Sequence, residues 1–212
     1  MKVALFFDAV VALVALTAVA CAQPKYDATL GVTGVPIDDG ALAGTFARVA
    51  QAADIAHVPA LGDQAGGGQT WSLVTRTWDA STSTYAESDR DCHVIDFDVA
   101  GLHTAIADAT ARSVPAYDVA FGVDHGSGAI VVPAFREQWG LVDLPPKAPL
   151  PTSTDDAHVD DMDHDGHPGA TVTASGLASG AIFVVQRKTL TMTGVTRSPD
   201  ESFGLLTHKK EG

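Results

Sequence analysis

The residues best suited to chemistry lie together in one acidic stretch, Asp155-Asp156-Ala157-His158-Val159-Asp160-Asp161-Met162-Asp163-His164-Asp165-Gly166-His167. Asp161, Asp163 and Asp165 occupy alternate positions, and Gly166 follows at once. Calcium takes six to eight oxygen ligands at about 2.3–2.6 Å. Carboxylates on alternate residues of a tight loop converge on one such ion, and glycine permits the sharp turn between ligands. The backbone carbonyl of His167 falls at the seventh loop position. Asp161, Asp163, Asp165 and His167 are therefore the expected metal ligands, with Asp155, Asp156 and Asp160 as further candidates beside a distant residue or water.

The loop follows the order of the first half of an EF-hand and then departs from it. Val172 stands at the twelfth position, where an EF-hand supplies a bidentate Glu, and Pro168-Gly169 blocks the helix that should follow. The expectation is a free-standing calcium loop leading into a strand, with a structural role. Two other readings compete. One is a solvated acidic loop that binds nothing. The other is a transition metal on His158, His164 and His167, because imidazole suits zinc or copper. Oxygen donors dominate and no Cys is near, so calcium leads.

Elsewhere the catalytic patterns are missing. There is no G-x-S-x-G and no H-E-x-x-H. Asp124-His125-Gly126-Ser127-Gly128 contains the residue types of a triad, but triad geometry comes from distant segments, and a hairpin loop is expected there. Gly66-Gly67-Gly68 lacks the Lys-Ser/Thr of a phosphate loop and is read as a turn. Glu87, Asp89 and Asp91 are spread along a polar turn and are expected to be solvated. His57, His93 and His103 are scattered, and Trp71, Trp78 and Trp139 are expected to fill the core.

The elements that must position the acidic loop are strands. Trp71, Leu73, Thr75 and Thr77 alternate with Ser72, Val74, Arg76 and Trp78, a two-residue period rich in aromatic and β-branched residues. Further strands are expected over Cys92 to Val99, Tyr117 to Val123, Ala129 to Phe135, Ala170 to Ala174 and Ser202 to His208. Ala181 to Thr193 is expected as the longest. Thr45 to Val58 fits both helical spacing and alternation and is assigned to strand. No long helix is expected after the N-terminal segment. Pro145, Pro146, Pro149 and Pro151 exclude a central strand over Leu144 to Thr154, which reads as a crossing loop. The fold class is all-β, a single antiparallel barrel or sandwich domain over 44–212, with an irregular entry segment over 21–43 and a Pro-rich and Asp-rich loop over 144–169.

Composition narrows the partners. The 212 residues carry 26 Asp and Glu against 13 Lys and Arg, a net charge of -13. Such a surface disfavours nucleic acid and anionic membranes and favours cations. The chain has no Asn and hence no N-glycosylation sequon, so its turns rely on Gly, Asp, Ser and Pro.

Residues 1–20 read as a secretory signal. Met1-Lys2 is a short positive start, Val3 to Ala20 is apolar apart from Asp8, and small residues close it at Ala18-Val19-Ala20. The apolar run is short for a membrane span and holds a costly Asp. Cys21 then stands either as the acylated residue of a lipoprotein, which would tether the chain to a membrane, or as a thiol free to pair with Cys92. An exported location, in the cell envelope or outside the cell, follows in both cases.

Four segments together resemble a group of bacterial secreted proteins and lipoproteins. They are Gly44-Thr45-Phe46-Ala47, Gly67-Gly68-Gln69-Thr70 with Arg76-Thr77-Trp78-Asp79, Asp163-His164-Asp165-Gly166-His167-Pro168-Gly169, and Val184-Val185-Gln186-Arg187. The resemblance implies an envelope location and a β-rich fold, supports the strand at Thr45 to Val58, and attaches no activity. Three functional readings follow. The leading one is a non-enzymatic exported domain with a calcium-stabilised loop. The others are a lipocalin-like barrel carrying a small apolar ligand and a hydrolase with an unrecognised site. Intact mass of the mature protein tests the export reading. A chain beginning at Cys21 is expected, carrying acyl increments if lipidated; a chain that keeps residues 1–20 after export would overturn it.

Overall fold

The computed structural model describes residues 32–58, 62–95, 101–176 and 179–211. The signal segment, Cys21 and the predicted strand end at Asp96 to Val99 lie outside the described residues. Among the described residues ten strands form: β1 Gly44–Val58, β2 Gly62–Asp79, β3 Thr84–Ile95, β4 Leu102–Ile106, β5 Tyr117–Val123, β6 Ala129–Trp139, β7 Ala170–Gly176, β8 Gly180–Val184, β9 Gln186–Ser198 and β10 Glu201–Glu211. One short helix, α1, spans Asp108–Ser113. Seven strands make one antiparallel sheet in the order β1-β2-β3-β5-β6-β9-β10, curled into a nearly closed barrel. Strands β4-β7-β8 make a second, smaller sheet. The all-β architecture expected from the alternating segments is thus the observed one.

Strand alternation decides which side chains enter the barrel. On β2, Ser72, Val74 and Arg76 are buried, while Trp71 and Leu73 are 42% and 50% exposed. On β3, Tyr85, Glu87, Asp89 and Asp91 all point inward. The expectation of solvated carboxylates at 87, 89 and 91 is therefore wrong, and so is that of Trp71 in the core. The outward set on β2 is the more apolar one. Its inward neighbours are chosen by what β3 presents, since Ser72 lies opposite Asp91 and Arg76 opposite Glu87. A bulge at Trp71/Ser72 leaves Cys92 as the extra residue on β3 and turns His93 outward to Asp108. Cys92 is a free, half-buried thiol.

The barrel interior has two halves. One is an apolar cluster of Ile37, Leu42, Tyr85, Phe121, Ile130, Val132, Phe135 and Leu190. These side chains pack on one another as a filled core. The Tyr85 ring lies 5.7 Å from Phe121 and 4.7 Å from Trp78, and its hydroxyl accepts from the Leu42 N–H at 3.3 Å.

The other half is ionic. Arg48 on β1 bonds Glu87 and Asp89, and Arg76 Nε donates to Glu87 Oε2 at 2.7 Å. Lys188 on β9 bonds Glu137 on β6 at 2.7 Å, and the Trp139 indole donates to the same oxygen at 2.6 Å. Tyr117 joins the halves: its ring stacks on Phe135 at 4.4 Å, and its hydroxyl donates to Asp89.

Two further expectations change. Gly66-Gly67-Gly68 is not a turn; it lies within β2, opposite Ala52 to Asp54. A β-carbon added at Gly67 would meet the Ala52 carbonyl at 3.0 Å. The single long strand at Ala181 to Thr193 is two strands in different sheets. Residues 180–184 pair with β7, Val185 breaks the run, and Gln186 onward pairs with β6 and β10. An uninterrupted run of residues compatible with strand hides such a change of sheet.

Leu42 is fully buried at the floor of the apolar half. Leu42→Ala is expected to lower unfolding free energy by about 2–5 kcal/mol through lost transfer energy and the residual cavity. Urea denaturation checks this, and a loss under about 1 kcal/mol would mean that the site collapses around the smaller residue.

Candidate metal centre

The acidic loop is pinned at three places. Leu141 and Val159 form an isolated antiparallel bridge, and Asp161 and Gly169 a parallel one. The Met162 N–H donates to the Gly169 carbonyl at 3.1 Å, and the Gly169 N–H to the Asp160 carbonyl at 2.8 Å. Met162 itself is buried with Val114, Trp139 and Ala170 in a second small core. Each anchor has a local cause. Gly140 and Gly169 cross so closely that a β-carbon on Gly140 would lie 2.5 Å from Gly169 Cα, and both adopt positive φ (61° and 91°). Only glycine combines that approach with that backbone.

Held in this way, Asp161, Asp163 and Asp165 converge, each offering a carboxylate oxygen within 4.8 Å of the others. His164, between the last two, takes φ 58°, and Gly166 takes φ 89°; these left-handed residues curl the loop around the three carboxylates. Each carboxylate also receives two protein donors. Asp161 accepts from the N–H groups of Asp165 (3.1 Å) and Gly166 (2.9 Å). Asp163 Oδ2 accepts from Thr110 Oγ1 (2.8 Å) and the Thr171 N–H (3.0 Å). Asp165 accepts from the His167 N–H (2.9 Å) and Thr171 Oγ1 (2.6 Å). The Thr171 hydroxyl, aided by the His167 N–H, holds the Asp165 carboxyl below its ordinary pKa. Asp163 Oδ1 is buried and has no hydrogen-bond partner.

The other expected ligands are arranged differently. Asp155, Asp156 and Asp160 join no such group among the described residues. Asp156 instead accepts from the His158 N–H at 2.9 Å. The His167 ring stacks on Phe183 with centroids 4.5 Å apart. His158 Nδ1 donates to the Val142 carbonyl at 3.1 Å. The convergent group is thus all-oxygen, a donor set that suits hard cations such as calcium, magnesium or manganese better than zinc or copper. Sequence reasoning missed Thr110 and Thr171, the hydroxyls that orient Asp163 and Asp165. Thr171 sits eight residues after Asp163 and carried a faint signal as the first polar position of the following strand. Thr110 is 53 residues distant on α1 and carried none.

No protein-family model, curated protein or solved structure matches the chain. The geometry of the loop is therefore the main guide to what it does.

Gly169→Ala is expected to disorder this loop. Positive φ costs an alanine about 1 kcal/mol, and the new β-carbon would press on the Val184 carbonyl at 2.7 Å. A melting temperature equal to wild type would refute the anchoring role.

Proposed function

We propose that the chain is an exported, non-enzymatic envelope or secreted β-domain whose acidic loop is stabilised by one calcium ion. The convergence of Asp161, Asp163 and Asp165 on one point carries this reading. The six donors around them orient the oxygens but, being neutral, leave three negative charges crowded together. A divalent cation offsets that repulsion and would give Asp163 Oδ1 a partner. Ca²⁺ would take further ligands from the His167 carbonyl or water to reach six or more. It would offset two of the three negative charges and lock the loop between α1, the Gly140–Leu141 segment and β7.

An exported chain supports the same reading. Calcium is plentiful outside cells, so a site with few protein ligands, of the weak extracellular class, would be filled there. The net charge of -13 adds long-range attraction for cations. The carrier reading is less favoured, because the apolar half of the barrel is packed with its own side chains.

Thermal melting tests the proposal. A hundredfold excess of free calcium over Kd adds about 2.7 kcal/mol. For a domain of this size that raises the melting temperature by roughly 5–10 °C. Chelator is expected to reverse the rise and Asp163→Asn to abolish it. No rise in wild type, or an equal rise in Asp163→Asn, would overturn the reading.

A further inference from the structure

Among the described residues, the ionic half of the barrel carries a surplus of negative charge: Arg48, Arg76 and Lys188 share it with Glu87, Asp89, Asp91 and Glu137, three cations against four carboxylates. The carboxylates are deeply buried, Glu87 2% exposed, Asp89 1%, and Asp91 and Glu137 8% each. Arg187 alternates with Lys188 to the other face of β9, where its partners include the Pro145 and Ala148 carbonyls of the Pro-rich loop. Burial keeps most solvent away from these carboxylates, and a net buried charge is costly.

The fourth carboxylate is Asp91. Glu87, Asp89 and Glu137 each have an Arg or Lys in contact. Asp91 Oδ1 instead accepts from the Ser72 hydroxyl at 2.9 Å. Lys188, whose charge favours the Asp91 anion, is bonded to Glu137. One more sign of a missing positive charge lies next along the same strand face. Asp89 Oδ1 is buried with no hydrogen-bond partner, although its other oxygen takes bonds from Arg48 and Tyr117. Ser72 has a single proton to give and cannot serve both carboxylates.

We propose that the ionic half of the barrel is a site for one exchangeable proton, carried by Asp91, and that loss of this proton loosens the barrel wall around β3, β6 and β9. Protonation brings the cluster to three positive and three negative charges. It also turns Asp91 into a donor within a cluster that has an acceptor to fill.

The surroundings agree in direction. Burial, followed by the Glu137 charge, pushes the Asp91 carboxyl up to about 7, with the Ser72 hydroxyl opposing and Asp89 adding to the rise. Burial also raises Asp89, against the pull of Arg48. The charged groups that act on Asp91 are Glu137 on β6, Asp89 on β3 and Lys188 on β9; further along the same inner face, Arg48 on β1, Arg76 on β2 and Tyr117 on β5 are bonded to Glu87 and Asp89 of β3. Strand β4 and helix α1 also lie against β3. Their His103, Asp108 and Arg112 are all exposed at the surface.

The sign follows from linkage. The folded state holds the proton more tightly than the unfolded chain, where an Asp titrates near its ordinary value of about 3.9. The stability that Asp91 contributes is therefore complete below about pH 4. It is lost as pH rises toward the folded value of about 7. Asp91→Asn keeps the shape of the protonated acid and cannot ionise.

The full exported chain would be melted from pH 4 to 8.5, as wild type and as Asp91→Asn, with chelator throughout so that the calcium loop contributes equally. Wild type is expected to lose melting temperature relative to the variant across the window, and the variant to be the more stable at pH 8.5. In selectively 13C-labelled wild type, the Asp91 carboxyl resonance is expected to titrate near 7, which decides the matter even if the variant does not fold. Parallel pH profiles for the two proteins, or an Asp91 resonance that titrates at the ordinary carboxylate value, would overturn the proposal. A midpoint displaced by NaCl but not by choline chloride would also overturn it, by assigning the site to a small metal cation.

Discussion

Arg48 reaches from β1 into the barrel and meets two carboxylates that β3 turns inward, Glu87 and Asp89. Arg76 approaches Glu87 from β2, and Tyr117 approaches Asp89 from β5. Four neighbouring strands are thereby joined through a single set of charge-assisted hydrogen bonds. Buried ion pairs of this kind contribute little net stability, because desolvation offsets most of the Coulombic gain. Their effect is on register. A one-residue slip of β3 would carry Glu87, Asp89 and Asp91 to the outer surface and leave both arginines buried without partners, a loss of several kcal/mol per unpaired charge. Hydrophobic alternation alone would not enforce this register, since the outer face of β2 carries Trp71 and Leu73. The charged residues fix which face is inside, and exposed apolar side chains on the wall are the consequence.

The same constraint explains which parts of the fold were legible from the sequence. Strands at Thr45–Val58, Tyr117–Val123 and Ser202–His208 could be found because alternation and β-branched residues report strand geometry directly. Which face is buried could not. The usual assumption that charge means solvent sent Glu87, Asp89 and Asp91 outward and Trp71 inward, and both were reversed. The missed signal was the regular i, i+2 spacing of Tyr85, Glu87, Asp89 and Asp91, with Arg48 and Arg76 in phase on the neighbouring strands. A solvated turn has no reason to keep that period. The break at Val185 was hidden for another reason. Ala181 to Thr193 is continuous strand sequence, and the change of sheet depends on which distant strands offer their edges.

In the acidic loop, the carboxylate spacing was legible and the support was not. Alternate aspartates followed by glycine suffice to predict convergence. The positions of Gly140, Gly169 and Met162, which hold the loop against the body of the protein, depend on tertiary packing. Gly140 and Gly169 are 29 positions apart and meet only because the Pro-rich segment returns the chain to its starting point. Pro145, Pro146, Pro149 and Pro151 stiffen that return and keep it out of the sheets. They therefore help to place the loop, although none touches the three carboxylates.

The two acidic groups solve the same electrostatic problem by different means. In the barrel, Glu87 and Asp89 are opposed by arginines on fixed strands, so their geometry is set by covalent neighbours and cannot exchange with solvent. In the loop, Asp161, Asp163 and Asp165 are met only by neutral N–H and O–H donors, which orient oxygens without cancelling charge. A protein that needed the loop merely to be stable could have placed an arginine there, as it did twice inside the barrel. Neutral donors leave the charge uncancelled and hold the oxygens converged, as the proposed cation would require. That difference in donor chemistry, more than the number of aspartates, is what favours the proposed cation site over a loop that is only acidic.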